Sequence, residues 1–342
     1  MTESQIQAIR ISGEPPEQWK ETHISYVLLS HMHAYKIKKP VKFSFLDFST
    51  LAQRKYYCDQ ELTLNKRLAA EIYLAVVPIR QLGAYLLMES DDGKLVDYAV
   101  KMKRMRGDRQ MHHLLADGLV TKNQIISIAE KIVQFHKETI ICKPLFDSQS
   151  MMDDFNDIGS IKKSIRQQLG DRYANLVSDA MQFSDEFIRS NRYHLAQRIE
   201  RGMIREGHGD LHSRNIFLDG KPIIFDCIEF SKDFRTIDVL DELAFFCMDL
   251  EVDHHTELSD LFMKTYIEQF PQSTSQPSDQ KIFLYYKLYR ANVRAKVNAL
   301  NLKGAKMATG KESITELKKY LLLMEQYTKQ LEGDLKINSR DQ

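Results

Sequence analysis

The stretch from Glu206 to Phe230 constrains this chain more than any other. It carries Asp210 and Asn215 five residues apart, then Asp226 at the end of an apolar run. Ile216-Phe217-Leu218 and Ile223-Ile224-Phe225 are strand-like, and Asp219-Gly220 between them has the composition of a tight hairpin turn. Such a hairpin puts Asp210 and Asn215 on the loop that enters it and Asp226 where the chain leaves, so all three gather at one end. Two carboxylates and an amide gathered in this way suit phosphoryl transfer, which needs little covalent chemistry and much positioning. One aspartate would orient an acceptor hydroxyl, and an Asn/Asp pair would hold Mg2+ on nucleotide phosphates.

Taken singly, each of these residues is a common turn residue or helix cap; the joint spacing is what argues for a site. A metallophosphatase is the sharper rival, because Gly209-Asp210-Leu211-His212 mimics a metal-binding G-D-x-H. Two-metal sites need several further His and Asp ligands, and no G-N-H-[DE] follows.

The protein-kinase catalytic loop reads H-R-D-L-x-x-x-N and is followed by D-F-G. Here the chain reads His208-Gly-Asp-Leu-His-Ser-Arg-Asn215, followed by Asp226-Cys-Ile-Glu229. It thereby resembles the aminoglycoside phosphotransferase and choline kinase-like family, whose loop commonly reads H-G-D-x-H-x-x-N. More narrowly, it resembles the kinase-like half of proteins that also carry a P-loop ATPase domain. The matching segments cover most of residues 20 to 300. The resemblance implies an α+β, bilobal protein-kinase-like fold. Residues 1–103 would form a nucleotide-binding lobe of antiparallel sheet plus one helix, with a hinge near 100–104. Residues 104–342 would form a mainly helical catalytic and substrate lobe, with a helical insertion at about 146–205 that shapes the acceptor pocket. It also implies ATP and Mg2+ as cofactors, Asp210 as catalytic base, Asn215 and Asp226 as metal ligands, and a hydroxyl of a small molecule as acceptor.

A kinase needs a lysine for the α and β phosphates. Ile24–Leu29 and Ala34–Lys38 flank Ser30-His31-Met32-His33 and read as a hairpin with a four-residue loop. Alternation puts Ala34, Lys36 and Lys38 on one face. Ala34-Tyr35-Lys36 sits like the A-x-K of V-A-I-K, which makes Lys36 the first choice, and Lys38 points the same way. Charge that protects an edge strand is the competing reading. Thr50 and Gln53 then have capping-box spacing, opening a helix to about Leu68 with Leu51, Cys58, Leu62 and Leu68 along one side. Glu61 shares that side, as the Lys–Glu pair of kinases requires; a solvated helix charge is the alternative.

Val76–Ile79, Ala84–Met88 and Leu95–Met102 supply further strands, with Asp92-Gly93 as a hairpin signal, for about five strands in all. Residues 100–104 read as the crossing between lobes, where hinge backbone would meet adenine with Met102 beside it. Residues 1–20, with Gly13, Pro15 and Pro16, read as punctuation. No G-x-G-x-x-G loop covers the phosphates. The resembled family uses a hydroxyl and backbone amides instead, matched here by Thr22-His23-Ile24-Ser25, with Ser25 as the nucleotide-side hydroxyl.

Further on, Thr121 and Gln124 form a second capping box. Ile125, Ile128, Ala129, Ile132, Val133 and His136 trace one helical face, with His136 read as a satisfied core histidine. Asp238 reads as a helix cap or a partner for loop amides. Asp241, Asp249, Glu251 and Asp253 read either as a lure for a cationic acceptor or as a solvated face. Lys287, Arg290 and Arg294 make a stripe that reads as phosphate-binding or solvated. Gly304 to Glu312 superficially resembles a Walker A loop but has the wrong length and ending, so no P-loop is expected.

A formal net charge of +1 argues against broad attraction to nucleic acid or an anionic membrane. Cys58, Cys142, Cys227 and Cys247 lie far apart, which argues for reduced thiols and a cytoplasmic location. Neither a signal peptide nor an apolar run of membrane-spanning length is visible. The reading from a different class is a catalytically idle, nucleotide-sensing pseudokinase that regulates a separately encoded protein partner.

Overall fold

The computed structural model describes residues 3–43, 45–302 and 307–338. The chain divides into two compact units: residues 1–120, 208–210 and 214–235 form the first, and residues 121–207, 211–213 and 236–342 the second. The fold is α+β.

The first unit opens with α1 (Glu3–Gln7), β1 (Ile9–Ile11), β2 (Gln18–Glu21), β3 (Ser25–Leu29) and β4 (His33–Lys38). The small hairpin β5 (Lys42–Phe43) and β6 (Leu46–Asp47) leads to α2 (Leu51–Ala69), β7 (Tyr73–Leu82), β8 (Tyr85–Met88), β9 (Lys94–Lys103) and α3 (Met111–Ala116). Seven strands form one sheet in the order β1-β8-β7-β9-β4-β3-β2. All pairs are antiparallel except β1 with β8.

Alternation in His33-Ala-Tyr-Lys-Ile-Lys38 decides what β4 does. Tyr35 and Ile37 enter one core with Tyr26, Leu28, Ile79 and Ala99. Ala34 faces the other way, onto a second core that includes Cys58 and Ala69 of α2 with Val100 and Met102 of β9. Lys36 and Lys38 are thereby carried to the α2 side. That helix starts where its capping box requires. The Thr50 hydroxyl accepts from Gln53 N at 3.2 Å, and Gln53 Oε1 accepts from Thr50 N at 3.3 Å, a device worth about 1 kcal/mol. Cys58, Glu61, Leu64 and Leu68 are its buried stripe.

Two expectations need correction. Residues 1–20 do more than punctuate: Ile9 and Ile11 are buried in the first core, and both β1 and β2 join the sheet. Three residues with two isoleucines are too short to register as a strand unless an existing edge is there to receive them. Asp92-Gly93 also does not close a hairpin. The two-residue Gly83-Ala84 connection closes β7 on β8, pairing Leu82 with Tyr85. β9 crosses to the far edge of β7 instead, where a ladder runs from Gln81↔Lys94 to Tyr73↔Met102. Ten residues of β9 gain more on ten-residue β7 than on four-residue β8. β9 runs on to Lys103, so Met102 belongs to the sheet and the chain leaves it only afterwards.

The second unit is mainly helical: α4 (Lys122–Glu138), α5 (Ser148–Asn156), α6 (Lys162–Leu169), α7 (Asp171–Glu200), α8 (Val239–Glu251), α9 (Thr256–Gln269), α10 (Ser278–Leu302) and α11 (Met307–Asn338). Ile204–Glu206 and Thr236–Asp238 pair as a short antiparallel ribbon. The Thr121/Gln124 box caps α4, and the whole expected stripe from Ile125 to His136 is buried. His136 is a satisfied core histidine, with Nδ1 2.7 Å from Tyr266 Oη and Nε2 2.6 Å from Glu242 Oε2. Asp238 caps α8 through Leu240 N at 2.8 Å and also binds the fully buried Arg198, which reaches Asp279 at 2.6 Å.

The acidic and basic stripes find each other. Arg290 binds Asp241 bidentately at 2.7 and 2.6 Å, Lys287 binds Glu251 at 3.0 and 3.1 Å, and Lys319 binds Asp253 at 2.7 Å. Asp249 accepts from Ser213 N at 2.7 Å. Asp241, Asp249 and Glu251 are therefore enclosed and already partnered, whereas Asp253 is the solvated member, with 56% of its side chain exposed. In the Gly304–Glu312 stretch, residues 304–306 lie outside the described residues. Among the described residues no helix is long and apolar enough to cross a membrane.

Candidate active site

Ile216–Asp219 and Lys221–Ile224 form the expected hairpin, with Ile216 opposite Ile224 and Gly220 at the turn. Its mouth brings the three polar candidates together. Phe225 N donates to Asn215 O at 3.0 Å, which fixes Asn215 beside the residue preceding Asp226. Asn215 Nδ2 donates to both the carbonyl and Oδ2 of Asp210, each at 3.0 Å.

His208 is fully buried beneath this mouth. Its Nε2 donates to Phe225 O at 2.9 Å, and its Nδ1 accepts from Asp210 N at 3.2 Å. One neutral imidazole thus ties the backbone of Asp210 to the residue before Asp226. Gly209 stands between His208 and Asp210 with φ +85, and a Cβ there would lie 2.7 Å from Phe234 O. Only glycine accepts both conditions.

Asp226 has φ +64, a left-handed conformation that costs a non-glycine residue about 1–3 kcal/mol. Neighbours hold it there. Asp226 N donates to Tyr73 Oη at 3.3 Å, Cys227 N donates to Asn65 Oδ1 of α2 at 2.8 Å, and Ile228 N donates to His208 O at 3.1 Å. The Asp226 side chain remains 41% exposed.

Above the hairpin, five charged groups alternate in sign. Asp226 Oδ1 lies 2.6 Å from Lys36 Nζ, which lies 2.9 Å from Glu61 Oε1. Glu61 Oε2 lies 2.8 Å from Lys38 Nζ, which in turn binds Glu229. Burial would lower the Lys36 ammonium, but Asp226 and then Glu61 and Glu229 overcome it and hold its pKa well above the usual lysine value. Burial would raise Glu61, yet the two lysines bring its carboxyl down to about 2. Lys36 keeps 12% of its side chain exposed, whereas Lys38 keeps none.

Ser25 lies opposite Lys38 in the sheet, at the end of the Thr22–Ser25 turn that joins β2 to β3. Its hydroxyl is buried with no hydrogen-bond partner among the described residues. Met102 is a core side chain, 9% exposed, in one cluster with Ala34 and Ile223, against which the partly buried Val27, Leu29, Phe217 and Phe225 pack.

Sequence reasoning passed over His208, Tyr73, Asn65 and Glu229. For His208 a signal existed, the first letter of the H-G-D motif. Tyr73 and Asn65 act through single hydrogen bonds that no local pattern announces.

Chemically, Asp226 and Asn215 offer hard oxygen donors of the kind Mg2+ takes, and an exposed carboxylate at a strained position fits that role. Among the described residues no group of three or more His, Cys, Asp and Glu gathers as a metal cluster.

No family model matches the chain. Uncharacterized proteins of Mycobacterium tuberculosis and Mycobacterium bovis are 30% identical to it over 316 residues, which is 90% of this chain. The chain spans 59% of the length of these curated relatives. Among solved structures, choline kinase from Cryptosporidium parvum aligns with 94% of this chain and 92% of its own, with a TM-score of 0.55 and 13% identity. An ethanolamine kinase of Plasmodium vivax and an ADP-bound aminoglycoside phosphotransferase align at TM-scores of 0.49 and 0.48, with 11% and 14% identity. They cover 89% and 91% of this chain, and 81% and 93% of their own. The fold is the kinase-like fold that the choline kinase has.

Proposed function

We propose that this chain is a phosphotransferase of the aminoglycoside phosphotransferase and choline kinase-like kind, moving the γ-phosphoryl group of ATP to a hydroxyl of a small molecule. The observation that carries the reading is the convergence of Asp210, Asn215 and Asp226 at one hairpin mouth, with Lys36 bound to both Asp226 and Glu61.

In this reading Asp210 orients the acceptor hydroxyl and takes its proton, while the Asn215 amide on Oδ2 fixes the carboxylate's direction. Mg2+, held by Asn215 and Asp226, would neutralise charge on the phosphates. Lys36 meets the α and β phosphates, and Glu61 aims it. Partial exposure supports Lys36 over Lys38 for this task. The apolar cluster that holds Met102, with the partly buried Val27, Leu29, Phe217 and Phe225 packed against it, is the candidate surface for adenine. The unpartnered Ser25 hydroxyl is the remaining candidate for a phosphate contact.

Asp210→Asn tests the reading. ADP formation across a panel of sugars, amino alcohols and nucleosides should fall by about 10²-fold or more, with Mg-ATP affinity measured by calorimetry within about threefold of the parent, because the other contacts persist. Turnover by the variant at the parent's rate would remove Asp210 from its role. Absence of nucleotide binding by the parent would remove the reading altogether.

A further inference from the structure

The second lysine of β4 has no task in the scheme above, yet its side chain is fully enclosed. We infer that Lys38 and Glu229 form a positioning pair. They fasten the Asp226–Glu229 segment to β4 and keep Glu61 in place when Lys36 turns to the nucleotide, and Lys38 itself does not touch phosphate. This inference rests on the proposed nucleotide site.

The geometry is a matter of register. Lys36 and Lys38 are two residues apart on one strand face, which separates their Cα atoms by about 6.6 Å. Asp226 and Glu229 are three apart on a segment whose intervening amides are bound by Asn65 and His208. The two lysines therefore meet the two acids in order, and Glu61 stands between the lysines with one oxygen on each. Lys36 will exchange at least one carboxylate for phosphate when it engages a nucleotide. At that moment Asp226, already in a strained left-handed conformation, loses a tether. Glu229, anchored to a lysine that cannot leave, keeps the segment where Asp226 must be. Lys38 likewise supplies Glu61 with a charge partner that does not depend on what Lys36 is doing.

A buried ion pair that only stabilised the fold could be replaced by apolar side chains at little cost. Both side chains of this pair are almost fully enclosed, and their neighbours in the charge chain are Glu61 and, through Lys36, Asp226.

The test compares metal-dependent with metal-free nucleotide binding by the full chain. Calorimetric titration with ADP is run in excess Mg2+ and in EDTA, for the parent, Lys36→Met, Lys38→Met, Lys38→Arg, Glu229→Gln and the double variant Lys38→Met/Glu229→Leu. Lys36→Met should weaken ADP under both conditions, because a phosphate contact is lost. Glu229→Gln should weaken Mg-ADP by about 10–100-fold, the usual loss when support behind a metal ligand goes, and leave metal-free ADP within about twofold; Lys38→Met should weaken Mg-ADP as much and metal-free ADP clearly less than Lys36→Met does, through the loosened Glu61. Lys38→Arg, which keeps the charge, should recover most of the loss. Should Lys38→Met weaken metal-free ADP as much as Lys36→Met does, Lys38 is a phosphate ligand and the inference is wrong. A double variant that binds Mg-ADP like the parent, or that does not fold although Lys38→Arg does, makes the pair purely structural and equally overturns it. A parent that binds no nucleotide removes the proposed function and this inference together.

Discussion

Gly209 and Gly220 provide a matched pair for separating backbone strain from crowding at the candidate catalytic loop. Both sit in the left-handed region, with φ of +85 and +83. An alanine at either position pays the left-handed penalty of about 1–2 kcal/mol. The surroundings differ. At Gly220 no atom beyond its chain neighbours lies within 4 Å of the added Cβ among the described residues, whereas at Gly209 the Cβ would stand 2.7 Å from Phe234 O and 3.1 Å from Ile228 Cδ1. A carbonyl oxygen cannot rotate away as the end of a side chain can, so the backbone must move, and overpacking of this sort costs about 1–3 kcal/mol more. Gly220→Ala should therefore lose about 1–2 kcal/mol in urea unfolding followed by circular dichroism, and Gly209→Ala about 2–5 kcal/mol. The displacement also falls between His208 and Asp210, so Gly209→Ala should lower phosphoryl transfer by about 10²-fold, the cost of a misplacement near 1 Å, while Gly220→Ala transfers at the parent's rate. Equal losses of stability in the two variants, with Gly209→Ala still fully active, would refute the idea that the approach of residue 234 fixes Asp210.

Other outcomes follow from the buried charges and thiols. Glu61 has a carboxyl drawn from 4.5 to about 2 by Lys36 and Lys38 against the opposing pull of burial; its stabilisation is present above pH 4.5 and lost as pH falls toward 2, so Glu61→Gln should flatten that part of the stability–pH curve. Burial pushes the Cys58 and Cys247 thiols up to about 12, so a disulfide reagent at pH 8 should modify Cys142 first, and Cys142→Ser should abolish the fast phase. His136→Leu removes the 2.6 Å imidazole contact from the buried Glu242 carboxyl and should cost about 1–3 kcal/mol in chemical unfolding. Were the loss below about 1 kcal/mol, the imidazole would not be what satisfies that acid.

What could be read from the sequence was whatever a local pattern enforces. Thr50/Gln53 and Thr121/Gln124 place two helix starts because both halves of a capping box lie within four residues. Strand alternation put Lys36 and Lys38 on one face, and helical spacing put Glu61 inward, so their meeting followed from two short-range rules. Asp219-Gly220 made its hairpin because no better partner competes for strands four residues long. Asp92-Gly93 carries the same dipeptide and made none. There the choice of neighbour was settled by the length of ladder available on β7, a quantity that exists only once the sheet is assembled. Ile9–Ile11 escaped notice for a related reason, since a three-residue strand owes its existence to the edge of β8.

The acids of α8 and the bases of α10 mark where single-element reading fails in kind. Each stripe, seen alone, is consistent with solvent or with a ligand of opposite charge, and helical periodicity has no means of choosing a third answer. That third answer is the other stripe. Asp241 with Arg290 and Glu251 with Lys287 lie within hydrogen-bonding distance, and Tyr327 adds its hydroxyl to Glu251 at 2.5 Å. Burying such charges unpaired would cost several kcal/mol each, so pairing was required once the two helices packed. The catalytic stretch escapes this ambiguity because its polar groups differ in type and their spacing is fixed by a turn. It is that mismatch, an amide and two carboxylates at one hairpin mouth with Lys36 as counter-charge, on which the proposed cation and anionic ligand rest. The same reasoning directs a search for the acceptor away from the acids of α8, which already have partners, and toward the surroundings of Asp210.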